Sequence, residues 1–152
     1  MAKTEFYQSL LGQVKAIISD EHDDIANMAN ISAIVFNALD KVNWAGFYRL
    51  IDNELVLGPF QGQVACIRIP VGRGVCGTAV SEATTQLVTD VHQFEGHIAC
   101  DASSNSEVVI PVYQHGKIIA VFDIDSTEVA YFDDEDARGL QDIVHALENQ
   151  LK

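Results

Sequence analysis

Two apolar segments near the carboxyl end, EVVIPVY (107–113) and KIIAVFDID (117–125), are separated only by Gln114-His115-Gly116. A three-residue connection that ends in glycine predicts a β-hairpin with a left-handed residue in the third loop position. This hairpin fixes two neighbouring antiparallel strands, around which the other elements must be arranged. Pro111 cannot donate a hydrogen bond to a neighbouring strand, so we expect an edge position or a β-bulge there.

The remaining pattern predicts helices at both ends of the chain and further strands between them. Apolar residues recur at helical spacing over 6–18 and 25–39, and Asp133 opens a last amphipathic helix. Between these helices, strands are predicted for NWAGFYRLID (43–52), ELVLGPF (54–60), CIRIP (66–70) and QLVTD (86–90), with a short helix from Cys76 to Ser81. Terminal helices around a mainly antiparallel sheet define an α+β fold, and 152 residues indicate a single domain over 1–152.

The charge of the chain limits its partners. A net charge of −13 and a pI near 4.5 disfavour binding to nucleic acid or to an anionic membrane surface, whereas a ligand with an ammonium group remains compatible. The sequence shows neither a secretory signal pattern nor an apolar run of about 18 residues. We therefore expect a cytoplasmic protein whose three cysteines serve burial, metal binding or reactivity instead of a permanent disulfide.

The cysteines differ in their surroundings. Cys100 lies in a polar loop over 91–106, and long loops of this kind in compact domains are often lids or binding loops. An accessible thiol in such a loop indicates redox chemistry, whereas Cys66 and Cys76 can equally be small buried apolar residues. Because only His97 lies near Cys100, the spacing does not predict a metal site. The glycines of GRGVCG (72–77) are interpreted as turn formers, because the flanking pattern of a dinucleotide site is missing.

Acidic residues form the third feature. Asp123 and Asp125 alternate with apolar residues on one strand, so both carboxylates lie on the same face. Pairing Tyr113 with Lys117 across the predicted loop places Glu107 opposite Asp123. Three neighbouring carboxylates require a proton, a cation or a cationic ligand. The alternative is an ordinary solvated acidic face.

Several motifs of this chain closely resemble those of the free methionine-(R)-sulfoxide reductases, a family of GAF-domain enzymes. The motifs are NWAGFYRL (43–50), LGPFQGQVAC (57–66), GRGVCGTA (72–79), VHQFEGHIACDASSNSEVVIPV (91–112) and VFDIDS (121–126). The resemblance extends over nearly the whole chain. It implies a six-stranded antiparallel sheet flanked by helices, a homodimer formed through the helical face, and a single catalytic domain without a bound cofactor.

The resemblance also implies residue roles. Cys100 would attack the sulfoxide, Cys66 would resolve the sulfenic acid as a disulfide, and Cys76 would be a relay or second resolving residue, with thioredoxin as the external reductant. Glu107, Asp123 and Asp125 would bind free methionine-(R)-sulfoxide. Trp44 and Tyr48 would form an apolar wall for the thioether methyl, although such aromatic residues also serve ordinary core packing. The alternative function is a non-catalytic GAF module that senses a small ligand.

Overall fold

A computed structural model describes residues 2–98 and 103–151. Its helices and strands follow one another as α1 (Lys3–Ile18), α2 (Asp24–Ala38), β1 (Val42–Ile51), β2 (Glu54–Gly62), β3 (Arg68–Pro70), α3 (Gly74–Glu82), β4 (Gln86–Val88), β5 (Ser106–Gln114), β6 (Lys117–Ser126) and α4 (Asp134–Glu148). Cys100, the predicted attacking residue, lies outside the described residues. Among those residues, no helix is long and apolar enough to cross a membrane.

The strands form one antiparallel sheet in the order β3-β2-β1-β6-β5-β4, which confirms the predicted α+β architecture. Helices α1, α2 and α4 contribute their apolar side chains to the core on one face of the sheet. Helix α3 packs against the opposite face, in a second apolar cluster. Both faces of the central strands are therefore buried, as the long runs without exposed residues in β1, β5 and β6 require.

Acidic caps fix the beginnings of two helices. Asp23 accepts a hydrogen bond from the backbone N–H of Ala26 at the start of α2. Asp133 accepts from Glu135 and Asp136, and the Asp136 side chain accepts in return from the N–H of Asp133, completing a capping box for α4. The predicted start of α4 at Asp133 is thus confirmed.

The hairpin between β5 and β6 differs from the prediction in its register. Gln114 pairs with Lys117, so the turn contains only His115 and Gly116, both with positive φ (53° and 76°). A bulge between Val112 and Tyr113 shifts the pairing once more. Glu107 consequently lies opposite Asp125, and the predicted pairing with Asp123 is wrong. The two shifts together amount to two residues, so all three carboxylates keep the predicted face.

Other boundaries also moved. The strand predicted over 66–70 is limited to Arg68–Pro70, which leaves Cys66 in the loop before it. The short helix predicted from Cys76 begins two residues earlier, at Gly74. Strand β4 pairs only with residues 107–109 of β5, so Pro111 lies where β5 is paired with β6 alone. This arrangement agrees with the expected edge position, next to a bulge.

Candidate functional site

A cavity opens between the sheet and α3, on the face opposite the three long helices. It encloses about 500 Å³, including solvent at its mouth. Its lining combines carboxyl groups, a thiol, aromatic rings and aliphatic side chains, contributed by Trp44, Tyr48, Ala65, Ile69, Gly74, Val75, Cys76, His97, Ile98, Ser104, Glu107, Asp123 and Asp125. All the sequence-predicted substrate-binding residues, together with Cys76, thus line one cavity.

The sheet register brings these side chains together. Asp125 pairs with Trp44 of β1 on one side and with Glu107 of β5 on the other, so the three residues form a row across three strands. Asp123 lies in the next row of the same face, opposite Gly46. A Cβ atom at Gly46 would overlap the Phe60 side chain, so only glycine fits at this position of β1.

The three carboxyl groups are buried, with relative exposures of 7% for Glu107, 5% for Asp123 and 9% for Asp125. Burial raises the pKa of Glu107 well above its ordinary value, and the neighbouring Asp123 raises it further. Burial, followed by the charge of Asp125, likewise raises the pKa of Asp123. Removal from water and like-charge repulsion both favour the neutral acid, so this cluster holds protons at a pH where exposed carboxylates are ionised.

Cys76 of α3 faces the acids. The Cys76 Sγ and one oxygen each from Glu107 and Asp123 lie within 4.8 Å of one another. Burial raises the pKa of the Cys76 thiol, and the charges of Asp123 and Glu107 raise it further, so the thiol is protonated. This set has the spacing of metal ligands, and its members also hydrogen-bond with one another, Asp123 with both Glu107 and Cys76. The predicted absence of a bound metal stays a prediction.

Aromatic side chains form the wall beside the acids. Trp44 and Tyr48 are each 2% exposed, and their rings stack with centroids 5.8 Å apart. Phe60 also stacks with the Trp44 indole, with ring centroids 5.2 Å apart. The polar and apolar halves of the cavity therefore lie side by side, an arrangement that suits an amphipathic small molecule.

Glycines allow α3 to pack closely against the segment over 96–98. Gly72 and Gly74 have positive φ (87° and 63°), in agreement with their interpretation as turn formers. Gly74 donates its backbone N–H to the Gly96 carbonyl at 3.2 Å, and a Cβ on Gly74 would lie 3.3 Å from Ile98. The third glycine, Gly77, is instead a helical residue packed against the Pro70 carbonyl.

Sequence reasoning did not single out His97, Ile98 and Ser104 as residues of this cavity. All three belong to the loop over 91–106, whose length was the only available signal. Burial lowers the pKa of His97, and the charge of His92 lowers it further, so His97 contributes a neutral imidazole near neutral pH. The loop thus supplies part of the cavity wall, consistent with its prediction as a binding loop.

The cysteines occupy different environments. Cys66 is half-buried in the loop between β2 and β3 and is disulfide-bonded, whereas Cys76 is a free thiol inside the cavity. Two exposed aliphatic residues flank Cys66, since Val64 is 86% and Ile67 is 67% exposed. Cys66 is therefore partly exposed to solvent, whereas Cys76 is buried and lines the cavity.

Comparison with known proteins finds close relatives of this chain. The GAF domain family matches residues 26–149. The free methionine-R-sulfoxide reductase of Escherichia coli (strain K12) is 54% identical over 151 residues, which cover 99% of this chain and 92% of that protein.

Two solved structures are also closely similar. The reduced form of the enzyme abbreviated fRMsr from Staphylococcus aureus has a TM-score of 0.94 at 55% identity, over 96% of this chain and 95% of that one. The free methionine-R-sulfoxide reductase of Neisseria meningitidis, solved in complex with its substrate, has a TM-score of 0.95 at 42% identity, over 99% of this chain and 90% of that one.

Proposed function

The chain belongs to the free methionine-R-sulfoxide reductases, a family of GAF-domain enzymes, and we propose that it reduces free L-methionine-(R)-sulfoxide to methionine. The observation that carries this proposal is the pairing, in one cavity, of a buried carboxyl cluster with an aromatic wall. The substrate is a zwitterion with a short thioether-like side chain, so it presents a cation, an S–O dipole and a methyl group to these surfaces.

The carboxyl cluster is proposed to bind the ammonium group. Asp123 Oδ1 is buried and accepts no hydrogen bond within the described part of the chain, although the carboxyl group as a whole hydrogen-bonds with Glu107, Asp125 and Cys76. A buried acceptor without a donor is costly, and an ammonium ion offers three N–H donors together with the compensating charge. A peptide-bound residue carries an uncharged amide at this position and would leave the cluster uncompensated. This reasoning assigns the site to the free amino acid.

One carboxylic acid of the cluster is proposed to protonate the sulfoxide oxygen. Glu107 and Asp123 both have pKa values raised by burial and by neighbouring charge, so these acids keep a proton to a higher pH than exposed carboxyl groups do. The stacked Trp44 and Tyr48 rings would hold the methyl group. Only one sulfoxide epimer can then direct its oxygen towards the acid while presenting its sulfur to the attacking thiol. This requirement supports selectivity for one epimer, and the names of the relatives indicate that it is R.

Thiol chemistry completes the proposed cycle. Cys100 attacks the sulfur, methionine leaves, and Cys100 becomes a sulfenic acid. Cys66 then attacks the sulfenic sulfur, forming the S–S bond and releasing water. Cys66 is disulfide-bonded, and we propose Cys100 as its partner in this step because the family resemblance implies that pairing. The protonated Cys76 thiol is a weak nucleophile, so we assign it the slower role of relay or second resolving residue.

Thioredoxin is the proposed reductant. A dithiol protein must bring its attacking thiolate onto a disulfide sulfur, and Cys66 lies half-buried between the exposed Val64 and Ile67. These apolar residues offer a contact surface next to the bond that must be broken. We further propose that the enzyme acts in the cytoplasm, where thioredoxin keeps thiols reduced. The catalytic unit is proposed to be the single domain 1–152, assembled as a homodimer through the helical face.

The decisive experiment follows NADPH consumption with thioredoxin and thioredoxin reductase on three substrates: free R sulfoxide, free S sulfoxide, and the N-acetylated R compound. We expect turnover of the free R epimer alone. Equal reduction of the N-acetylated compound would contradict the assigned role of the carboxyl cluster. Binding without any NADPH consumption would instead favour the alternative predicted from the sequence, a non-catalytic GAF sensor.

Two cysteine variants separate the proposed steps. Cys100→Ser should release no methionine even in a single turnover, because the attacking thiol is gone. Cys66→Ser should release about one methionine per subunit and then recycle poorly, because the sulfenic acid lacks its partner. Quantifying methionine after rapid quenching distinguishes these results, and full activity of Cys100→Ser would overturn the thiol assignment.

A further inference from the structure

The loop that carries Cys66 is held by side chains of the cavity wall. The Tyr48 hydroxyl donates a hydrogen bond to the Cys66 carbonyl at 2.9 Å, and the Trp44 Nε1–H donates to the Gln63 carbonyl at 3.1 Å. A backbone hydrogen bond from Leu57 to Ile67 at 2.8 Å closes the far end of the loop. Two of these three attachments therefore come from residues that line the cavity.

The wall and the loop are also coupled by close packing. Gly62, at the end of β2, has φ of +131°, and a Cβ there would lie 2.7 Å from Trp44 Cδ1. The chain can therefore pass over the indole only because this position is glycine. Displacement of the Trp44 and Tyr48 rings would consequently displace the backbone on both sides of the loop.

Tyr48 is suited to act as a permanent donor. Burial raises the pKa of its phenol well above the ordinary range, and the charges of Asp123 and Cys76 raise it further. The hydroxyl thus stays protonated while the carboxyl groups exchange protons. Its acceptor is a backbone carbonyl, which does not titrate. The link between Tyr48 and Cys66 is therefore independent of pH over the range in which the cluster titrates.

From these contacts we propose that Tyr48 is a positioning residue for Cys66, in addition to its role in the substrate wall. The inference rests on the proposed function, since it concerns the step in which Cys66 condenses with the sulfenic acid. In that step the Cys66 sulfur forms an S–S bond, the S–O bond breaks, and the oxygen leaves as water with two protons. A fixed Cys66 backbone restricts the positions that the Cys66 sulfur can occupy, so the sulfur reaches the geometry for attack on the sulfenic acid more often.

The test compares Tyr48→Phe with Tyr113→Phe. Tyr113 also donates its hydroxyl to a loop carbonyl, that of Ala83 at 3.2 Å, but it does not line the cavity. Rapid quenching gives the rate of methionine release, and capture by dimedone with mass spectrometry gives the lifetime of the sulfenic acid. In Tyr48→Phe we expect disulfide formation to slow by about fivefold, the effect of one lost hydrogen bond, and methionine release to fall by less.

A second variant guards against a general loss of structure. Gly62→Ala should strain the loop from its other side while the Tyr48 hydroxyl is kept as a donor, and we expect the same longer-lived sulfenic acid. If both steps slow equally in Tyr48→Phe, or if disulfide formation keeps its wild-type rate in that variant, the positioning role is overturned. Absence of methionine release from the wild-type protein would instead contradict the proposed function.

Discussion

The two faces of β6 provide a direct comparison within one strand. Phe122 and Ile124 are buried in the core formed with the long helices, where their neighbours are apolar. Asp123 and Asp125 alternate with them and are nearly as inaccessible, yet they face the cavity beside α3. Equal burial thus serves stability on one face, whereas on the other it raises the pKa of acidic groups. Substitutions on neighbouring residues of one strand can therefore separate folding from chemistry.

The largest expected effect is a loss of stability, caused by a substitution on the sheet face that the long helices cover. Phe122 is fully buried and stacks on Phe47 with ring centroids 4.4 Å apart. Phe122→Ala should lower the free energy of unfolding by about 3–5 kcal/mol, because it leaves a cavity in a closely packed core. Denaturant titration measures the loss. The matched variant Asp123→Asn should change stability far less, and a similar loss in both would erase the distinction between the two faces.

Substitutions on the cavity face should mainly lower the catalytic efficiency. Glu107→Gln or Asp125→Asn should lower kcat/KM for the free R sulfoxide by about tenfold or more, equivalent to about 1.4 kcal/mol, because a charge that holds the ammonium group is lost. Glu82→Gln, at an exposed position of α3, is the control and should keep wild-type kinetics. Steady-state assays over a range of substrate concentrations provide the comparison. Unchanged kcat/KM in both cluster variants would show that the acids serve another purpose.

The cavity face should also make stability depend on pH. Raised pKa values mean that the folded protein keeps protons on Glu107 and Asp123 at pH values above 4.5 and 3.8, where the unfolded chain has released them. The free energy of unfolding should therefore fall as the pH rises above these values, by up to about 1.4 kcal/mol per pH unit for each retained proton.

Denaturation midpoints at a series of pH values measure this slope. Glu107→Gln should flatten the slope, because glutamine does not titrate, whereas Phe122→Ala should shift the whole curve with little change of slope. A slope identical to that of the wild type in Glu107→Gln would mean that Glu107 is ionised in the folded protein. Adding substrate should release protons, because an ammonium ion favours the charged acids.

The smallest expected effect concerns the loop beyond the cavity. Val64→Ser and Ile67→Ser remove exposed apolar surface beside Cys66, so we expect the KM for thioredoxin to rise by about threefold. Turnover with dithiothreitol, a small dithiol that needs no docking surface, should be unchanged. Val129→Ser alters another exposed residue, 56% accessible, and serves as the control. If activity falls equally with thioredoxin and with dithiothreitol, the substitutions impair the reaction itself and not the docking of thioredoxin.

Sequence patterns determined much of this fold because they reflect local physics. Alternation along β6 assigned Asp123 and Asp125 to one face and Phe122 to the other, and this assignment survived a wrong register because side chains in a strand repeat every two residues. The acidic start of α4 was likewise visible, since capping involves residues close in the chain. The family resemblance, carried by motifs around all three cysteines, identified the family and the fold.

Only the tertiary structure decided which residues meet across the sheet. The pairing of Glu107 with Asp125 depended on a two-residue turn and a bulge, and neither leaves a sequence signal strong enough to fix the register. The contacts of Tyr48 with Cys66 and of Ile98 with Gly74 join segments that are distant in the chain. Local secondary-structure propensity carries no information about such contacts, because they arise when whole helices and strands pack together. The sequence by itself therefore determined the elements, their buried faces and the chemical groups, whereas long-range packing determined which groups share a cavity and which backbone they hold.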